Sequence, residues 1–255
     1  MRRLAFIIVS AILFSLSLSA QTVDEIIAKH VAAQGGMAKI KAVQSVRMTG
    51  DLETAGMQAT FTQVYKRPMK MRLDITIQGL TLTQAYDGKN GWQVVPFTGK
   101  KDPEPMAADD LKRAQEQADL DGPLMDYKTK GHTIELMGKE KTDGADAYHL
   151  KVTLKSGGVR HLYLDAGTFL VSKIVAKTTI NGSEVELAST LGDYRNVEGL
   201  MFPFSIDQRP TGSVSGAEQK IAFKKIEPNV PVDDSIFKMP AVAPHAPDKT
   251  GPAPK

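Results

Sequence analysis

Cysteine is missing from all 255 residues. No disulfide can staple this chain and no thiol chemistry is open to it, so its stability has to come from a core. The absence also removes any acylated-cysteine anchor. Charge of one sign is missing too. There are 32 basic and 29 acidic residues, and setting aside Arg2 and Arg3 leaves 30 against 29. So even a balance gives no electrostatic footprint for nucleic acid. Past the first twenty residues, no apolar run is long enough to span a membrane. The motifs of common catalysis are absent: no G-x-S-x-G, no H-E-x-x-H and no phosphate-binding Walker loop. The five histidines, His30, His132, His149, His161 and His245, show no metal-ligand spacing to one another. His149 and His161 fall on neighbouring strand candidates and could meet across a hairpin, which we read as structural. Asp109 and Asp110 are adjacent on a helical stretch and point apart, so they read as helix-start charge rather than as an acid–base pair. The chain is therefore expected to be no enzyme and to hold no cofactor and no metal.

What is present starts with an export signal. Met1-Arg2-Arg3 is basic, the run from Leu4 to Leu18 is apolar, and Ser17-Leu18-Ser19-Ala20 supplies small residues before polar Gln21-Thr22. That is the layout of a secretory signal peptide over 1–20, with cleavage after Ser19 or Ala20 left open. The mature protein is expected to be exported, as a monomer, with one domain over 21–240 and a Pro/Ala-rich disordered tail over 241–255.

Within the domain, Thr22-Val23-Asp24-Glu25 is a capping box. Val23, Ile26, Ile27, His30 and Val31 then share one helical face, and Gly35-Gly36 ends it. From Val43 the period changes to two. The clearest case is 69–77, where Met69, Met71, Leu73, Ile75 and Ile77 alternate with polar residues, so one face meets apolar surroundings and the other water. About a dozen such strands are separated by turn pairs such as Asp87-Gly88, Asn90-Gly91, Asp143-Gly144 and Asn181-Gly182. A helix over 107–120, with Leu111, Ala114 and Ala118 on one face, interrupts them. Sequential hairpins of this number predict one wide antiparallel sheet that must curl.

One series of motifs carries a resemblance. Phe61-Thr62-Gln63, Lys66-Arg67-Pro68, Tyr86-Asp87-Gly88-Lys89 and Trp92 follow one another in order. Asp193-Tyr194-Arg195, Gly199-Leu200-Met201-Phe202-Pro203 and a closing Asp233-Asp234-Ser235-Ile236-Phe237-Lys238-Met239-Pro240 come later. Together they resemble the LolA-like family of periplasmic, outer-membrane lipoprotein-sorting carriers. The resemblance implies an α+β, mostly β fold: an incomplete antiparallel β-barrel whose concave apolar face is covered by helices. It implies transit of acylated lipoproteins or lipids, received from an inner-membrane release complex and given to an outer-membrane acceptor. It also implies that Arg67, in the K-R-P corner, holds the helical lid and lets cargo go. Met71 stands where the best-known carriers have an aromatic residue, so cargo handling need not be the same. Met57, Phe61, Met69, Met71, Leu73, Ile75, Trp92 and Leu111 are the candidates for the acyl-cavity wall, Trp92 being read more readily as core. A lipid-sensing regulatory module on the same scaffold is the alternative, and a hydrolase the more distant one.

Overall fold

The structure is a computed structural model and describes residues 21–99, 101–180, 183–211 and 218–241. The expected signal peptide over 1–20, the Asn181-Gly182 turn and all but the first residue of the expected tail over 241–255 lie outside the described residues. In chain order the elements are α1 (Val23–Ala33), α2 (Met37–Ala42), β1 (Ser45–Thr54), β2 (Met57–Lys66), β3 (Lys70–Ile77), β4 (Leu80–Tyr86), β5 (Gly91–Val94), a 3₁₀ turn (Pro96–Thr98) and β6 (Glu104–Pro105). After α3 (Ala108–Gln117) come β7 (Thr133–Thr142), β8 (Ala145–Thr153), β9 (Val159–Asp165), β10 (Val171–Ile180), β11 (Ser183–Val197), β12 (Leu200–Pro210), β13 (Gln219–Pro228) and a closing 3₁₀ turn (Asp234–Phe237).

All thirteen strands form one antiparallel sheet in the order β6-β5-β4-β3-β2-β1-β13-β12-β11-β10-β9-β8-β7. Each strand follows its neighbour by a hairpin except where β13 returns to lie beside β1, which joins two meanders into one surface. The sheet does not close, because β6 and β7 are its two edges. It does curl. In that order β4 is third and β9 eleventh, eight steps apart, which on a flat sheet is about 38 Å at the usual strand spacing. Yet α3 touches both. Ala114 and Ala118 pack with Met71 and Tyr86, and the Glu116 carboxylate accepts from Arg160 of β9 at 2.9 Å. One helix is only about 10 Å across, so the two halves must face each other around it. The concave face is thus the one that α3 and α1 occupy.

The capping box forms as expected, with Thr22 accepting from the Glu25 amide and the Glu25 side chain accepting from the Thr22 amide. The inner side of α1, Ile26, Ile27 and Val31, packs with Leu124 and Met125 onto Leu150, Val152, Leu162, Leu164 and Val171. His30 is buried in the same face and its Nδ1 lies 2.8 Å from the Phe169 carbonyl. Burial pushes the His30 pKa down, and the Phe169 hydrogen bond only partly offsets this.

Two element boundaries differ from the sequence reading. In the sequence Trp92 to Phe97 reads as the strand after the Asn90-Gly91 turn, but β5 stops at Val94, since Pro96 brings no amide to the ladder and opens the 3₁₀ turn instead. The helix expected to run to Leu120 stops at Gln117. Just beyond, the Asp119 carboxylate accepts from the Asp121 amide at 3.3 Å, a local turn that competes with helix continuation.

Candidate functional site

Strand register decides which residues share the hollow. Tyr65, Gln63 and Phe61 of β2 stand opposite Met71, Leu73 and Ile75 of β3. Met71 and Ile75 in turn stand opposite Tyr86 and Leu82 of β4. On the other side, Gly50 of β1 lies between Phe61 and Phe223 of β13. The two rings meet edge-on over it, centroids 5.4 Å apart. A Cβ at Gly50 would come within 2.8 Å of the Phe61 ring, so this closure requires glycine.

The apolar concave face falls into a roofed part and an open part. Beneath α3, Met71, Tyr86, Met106, Ala114 and Ala118 are buried, with Tyr65, Met69, Leu73 and Leu111 packed around them. The roof sits very close at β5, where a Cβ on Gly91 would lie 2.6 Å from the Met106 sulfur and 2.9 Å from Leu111. Next to this lies a second cluster made from strands alone: Leu52, Ala59 and Phe61, flanked by half-buried Leu73, Ile75, Ile77, Ile221 and Phe223. No helix residue belongs to it. Leu73 belongs to both clusters and links the open trough by packing to the space under α3, with Gln63 and Gln84 flanking it on the neighbouring strands.

The K-R-P corner between β2 and β3 carries Arg67. Its Nε donates to the Val43 carbonyl at 2.6 Å and its Nη2 to the Ile40 carbonyl at 3.1 Å. Nη1 and Nη2 fork onto the two Asp121 oxygens at 2.9 and 2.5 Å. One guanidinium therefore ties the strand corner to the end of α2 and to the segment after α3. Lys41 of α2 reinforces the tie, reaching Asp121 at 2.7 Å and Asp126 at 2.6 Å. The Asp121 side chain is only 5% exposed. Burial acts to raise its pKa, but Arg67 and Lys41 outweigh burial and bring it down to about 2. A cavity of about 280 Å³ lies directly behind the tie, bounded by Val46, Met48, Tyr65, Asp121 and Phe202. Val46 and Tyr65 stand opposite each other in the register, on the concave face.

Compared with family models and with curated proteins, the chain matches none. Solved structures do match it. A DUF1329 family protein from Desulfovibrio piger ATCC 29098 aligns at TM-score 0.58 with 14% identity, over 85% of this chain and 97% of that one. A LolA superfamily protein from Nitrosomonas europaea aligns at 0.56 with 16% identity, over 86% and 98%. A putative outer membrane lipoprotein-sorting protein domain from Vibrio parahaemolyticus aligns at 0.54 with 11% identity, over 85% and 97%. The fold is LolA-like. At such identities the likeness is one of backbone, and it carries the incomplete barrel with its inner helices rather than any residue's role.

Placed in this LolA-like fold, the sequence candidates separate. Phe61 and Met71 are buried in the concave layer, and Leu73 and Ile75 line the open trough. Met69 and Leu111 sit at its α3 side. Met57 shares the concave face but begins its strand and is 44% exposed, so it stands at the rim. Trp92 is the correction. It pairs with Ala85, the neighbour of the inward-facing Tyr86, and so points to the outer face. There it is 3% exposed, its indole N–H donates to the Phe237 carbonyl at 2.8 Å, and the Arg72 guanidinium lies over its ring. Trp92 is a core residue of the convex side, not part of the cavity wall.

Asp121 was not singled out from the sequence. Its partner Arg67 is 54 positions away, and no local pattern marks it. His149 and His161 do meet, ring nitrogens 2.7 Å apart. Glu140 holds the other nitrogen of His149 at 2.8 Å and Tyr163 stacks on that ring. Among the described residues no group of three or more His, Cys, Asp or Glu is arranged to hold a metal ion.

Proposed function

We propose that this chain is an exported periplasmic carrier. It takes the acyl chains of lipoproteins or lipids into the concave trough and moves them toward the outer membrane. The observation that carries this reading is the half-buried row Leu73, Ile75, Ile77, Ile221 and Phe223, an apolar surface inside the curl to whose cluster no helix among the described residues contributes. An acyl chain in water costs about 0.8 kcal/mol per CH₂, so about sixteen carbons amount to roughly 13 kcal/mol of gross transfer energy. A dry channel of branched side chains recovers a share of that without specific bonds. The Arg67–Asp121 tie supports the release half of the reading, since it fastens the segment after α3 to the strand corner through one forked, charged contact. No helix among the described residues is long and apolar enough to cross a membrane, which fits a carrier that travels between two membranes. Handover from an inner-membrane complex to an outer-membrane acceptor belongs to the same proposal. So does the assignment of no catalytic step.

Native mass spectrometry of protein extracted without detergent should show an adduct of lipid mass, lost on organic extraction. Lipid-free protein that also fails to bind an acyl probe would end the carrier reading. Turnover of acyl esters would end the non-catalytic one. A sensor would load in the same way but keep its load. A carrier gives its load to acceptor vesicles.

A further inference from the structure

A second cavity, of about 420 Å³, lies between α3 and the turn from β8 to β9. Its volume is in the range of small-ligand sites. Four cations line it, Lys112, Lys130, Lys155 and Arg160, against two carboxylates, Glu116 and Asp119. Both carboxylates are already engaged. Glu116 accepts from Arg160 at 2.9 Å and from the Ser156 hydroxyl at 2.6 Å. Asp119 accepts from Lys130 at 2.5 Å. Among the described residues, the ammonium groups of Lys112 and Lys155 have no carboxylate partner. His132 accepts the Lys155 amide on Nδ1 at 3.0 Å, which puts its ring proton on Nε2 as a further donor. The floor is apolar, with Met69, Pro123 and Leu154. Met69 also belongs to the cluster beneath α3 that contains Leu73, and Leu73 opens onto the trough.

The geometry points to this cavity as the seat of a phosphate-bearing headgroup on an anionic lipid, with Lys112 and Lys155 as the free cations and the lipid's chains running past Met69 into the trough. The inference rests on the carrier reading and narrows its cargo. The excess of two cations selects an anion. The apolar lining, which Met69 joins by packing to the cluster beneath α3, selects one joined to hydrocarbon over a free ion, which would leave that lining uncovered. Arg160, pinned in the plane set by Glu116, offers fixed donors, while the two lysines are flexible and strongly hydrated and adapt to the headgroup.

The test uses the mature protein and three probes competing against a bound fluorescent acyl dye: dihexanoyl phosphatidylglycerol, dihexanoyl phosphatidylcholine and inorganic phosphate. The anionic lipid is expected to bind about tenfold tighter than the zwitterionic one at low salt, with the preference shrinking as ionic strength rises. The double substitution Lys112→Gln, Lys155→Gln should bring the anionic lipid to the affinity of the zwitterionic one. Equal affinities in the wild type overturn the headgroup site and leave the carrier standing. No binding of the dye and none of either lipid overturns the carrier as well. Phosphate binding more tightly than either lipid assigns the cavity to the free ion and overturns its lipid role.

Discussion

Arg67→Leu is expected to open the lid and speed loss of bound acyl chains while the sheet stays folded. The substitution deletes four hydrogen bonds, two to the carbonyls of Ile40 and Val43 and two to Asp121. It leaves a carboxylate that is 5% exposed with Lys41 as its remaining charged partner. Stranding one member of a buried pair costs about 3–5 kcal/mol. Arg67 is 21% exposed, so water and relaxation reduce that to about 2 kcal/mol, a change of about 30-fold in the ratio of closed to open lid. Hydrogen exchange should quicken over 118–131, with little change over β1, β2 and β13. Transfer of a labelled acyl chain to acceptor vesicles should quicken with it. Equal loading and transfer in mutant and wild type would remove the latch assignment. Arg67→Lys separates charge from shape, since an ammonium keeps the attraction but cannot fork onto both oxygens while also reaching two carbonyls. Acid tests the same contact. The Asp121 pKa is depressed in the latched form, so its stabilisation is whole above the free carboxylate's value near 4 and is lost as pH falls through about 2. The lid should therefore hold at pH 5 and open between pH 4 and pH 2. Asp121→Asn should start open and lose that dependence.

The fold was legible where one strand or one helix speaks for itself. Alternation over 69–77 placed Met71, Leu73, Ile75 and Ile77 on one face, and the sheet keeps them there. Leu111, Ala114 and Ala118 were grouped from helical spacing, and they pack in one cluster. What stayed hidden depends on pairs distant in sequence or on counting through a turn. Trp92 shows the second kind. The turn from Asp87 to Asn90 closes with Tyr86 opposite Gly91, so Trp92 inherits the outward parity of Ala85. Counting back from Asp87-Gly88 would have revealed it. Gly91 was read as turn chemistry, yet its lack of a side chain is what lets Met106 and Leu111 approach β5. Asp121 shows the first kind. Nothing near it in sequence distinguishes the buried partner of Arg67 from an ordinary loop acid, because its setting comes from Arg67 and Lys41 arriving from other elements.

Phe237→Ala is expected to be the costliest single truncation on the outer face. The closing segment runs along the polar side of β2 and β3. Lys66 donates to the Val232 carbonyl at 2.8 Å, Lys66 and Lys70 reach Asp234 at 2.7 and 2.6 Å, and Arg72 donates to the Ile236 carbonyl at 3.0 Å. Asp234 is half exposed, so these ion pairs position the segment more than they stabilise it. The energy comes from Phe237, with 0% exposure, and from the Trp92 indole bonded to its carbonyl. Removing a fully buried phenyl ring costs about 3–5 kcal/mol, a large part of a total stability of roughly 5–15 kcal/mol. In a domain of this size that lowers the melting temperature by about 10 °C. Trp92 is the chain's single tryptophan, so its emission reads this site alone: it should shift to the red in Phe237→Ala and stay unmoved when acyl cargo fills the opposite face. A loss below about 1 kcal/mol would mean the segment is not part of the core. A Trp92 shift on loading wild type would mean that the two faces are coupled, and the sheet could not then be a passive wall between strap and cargo.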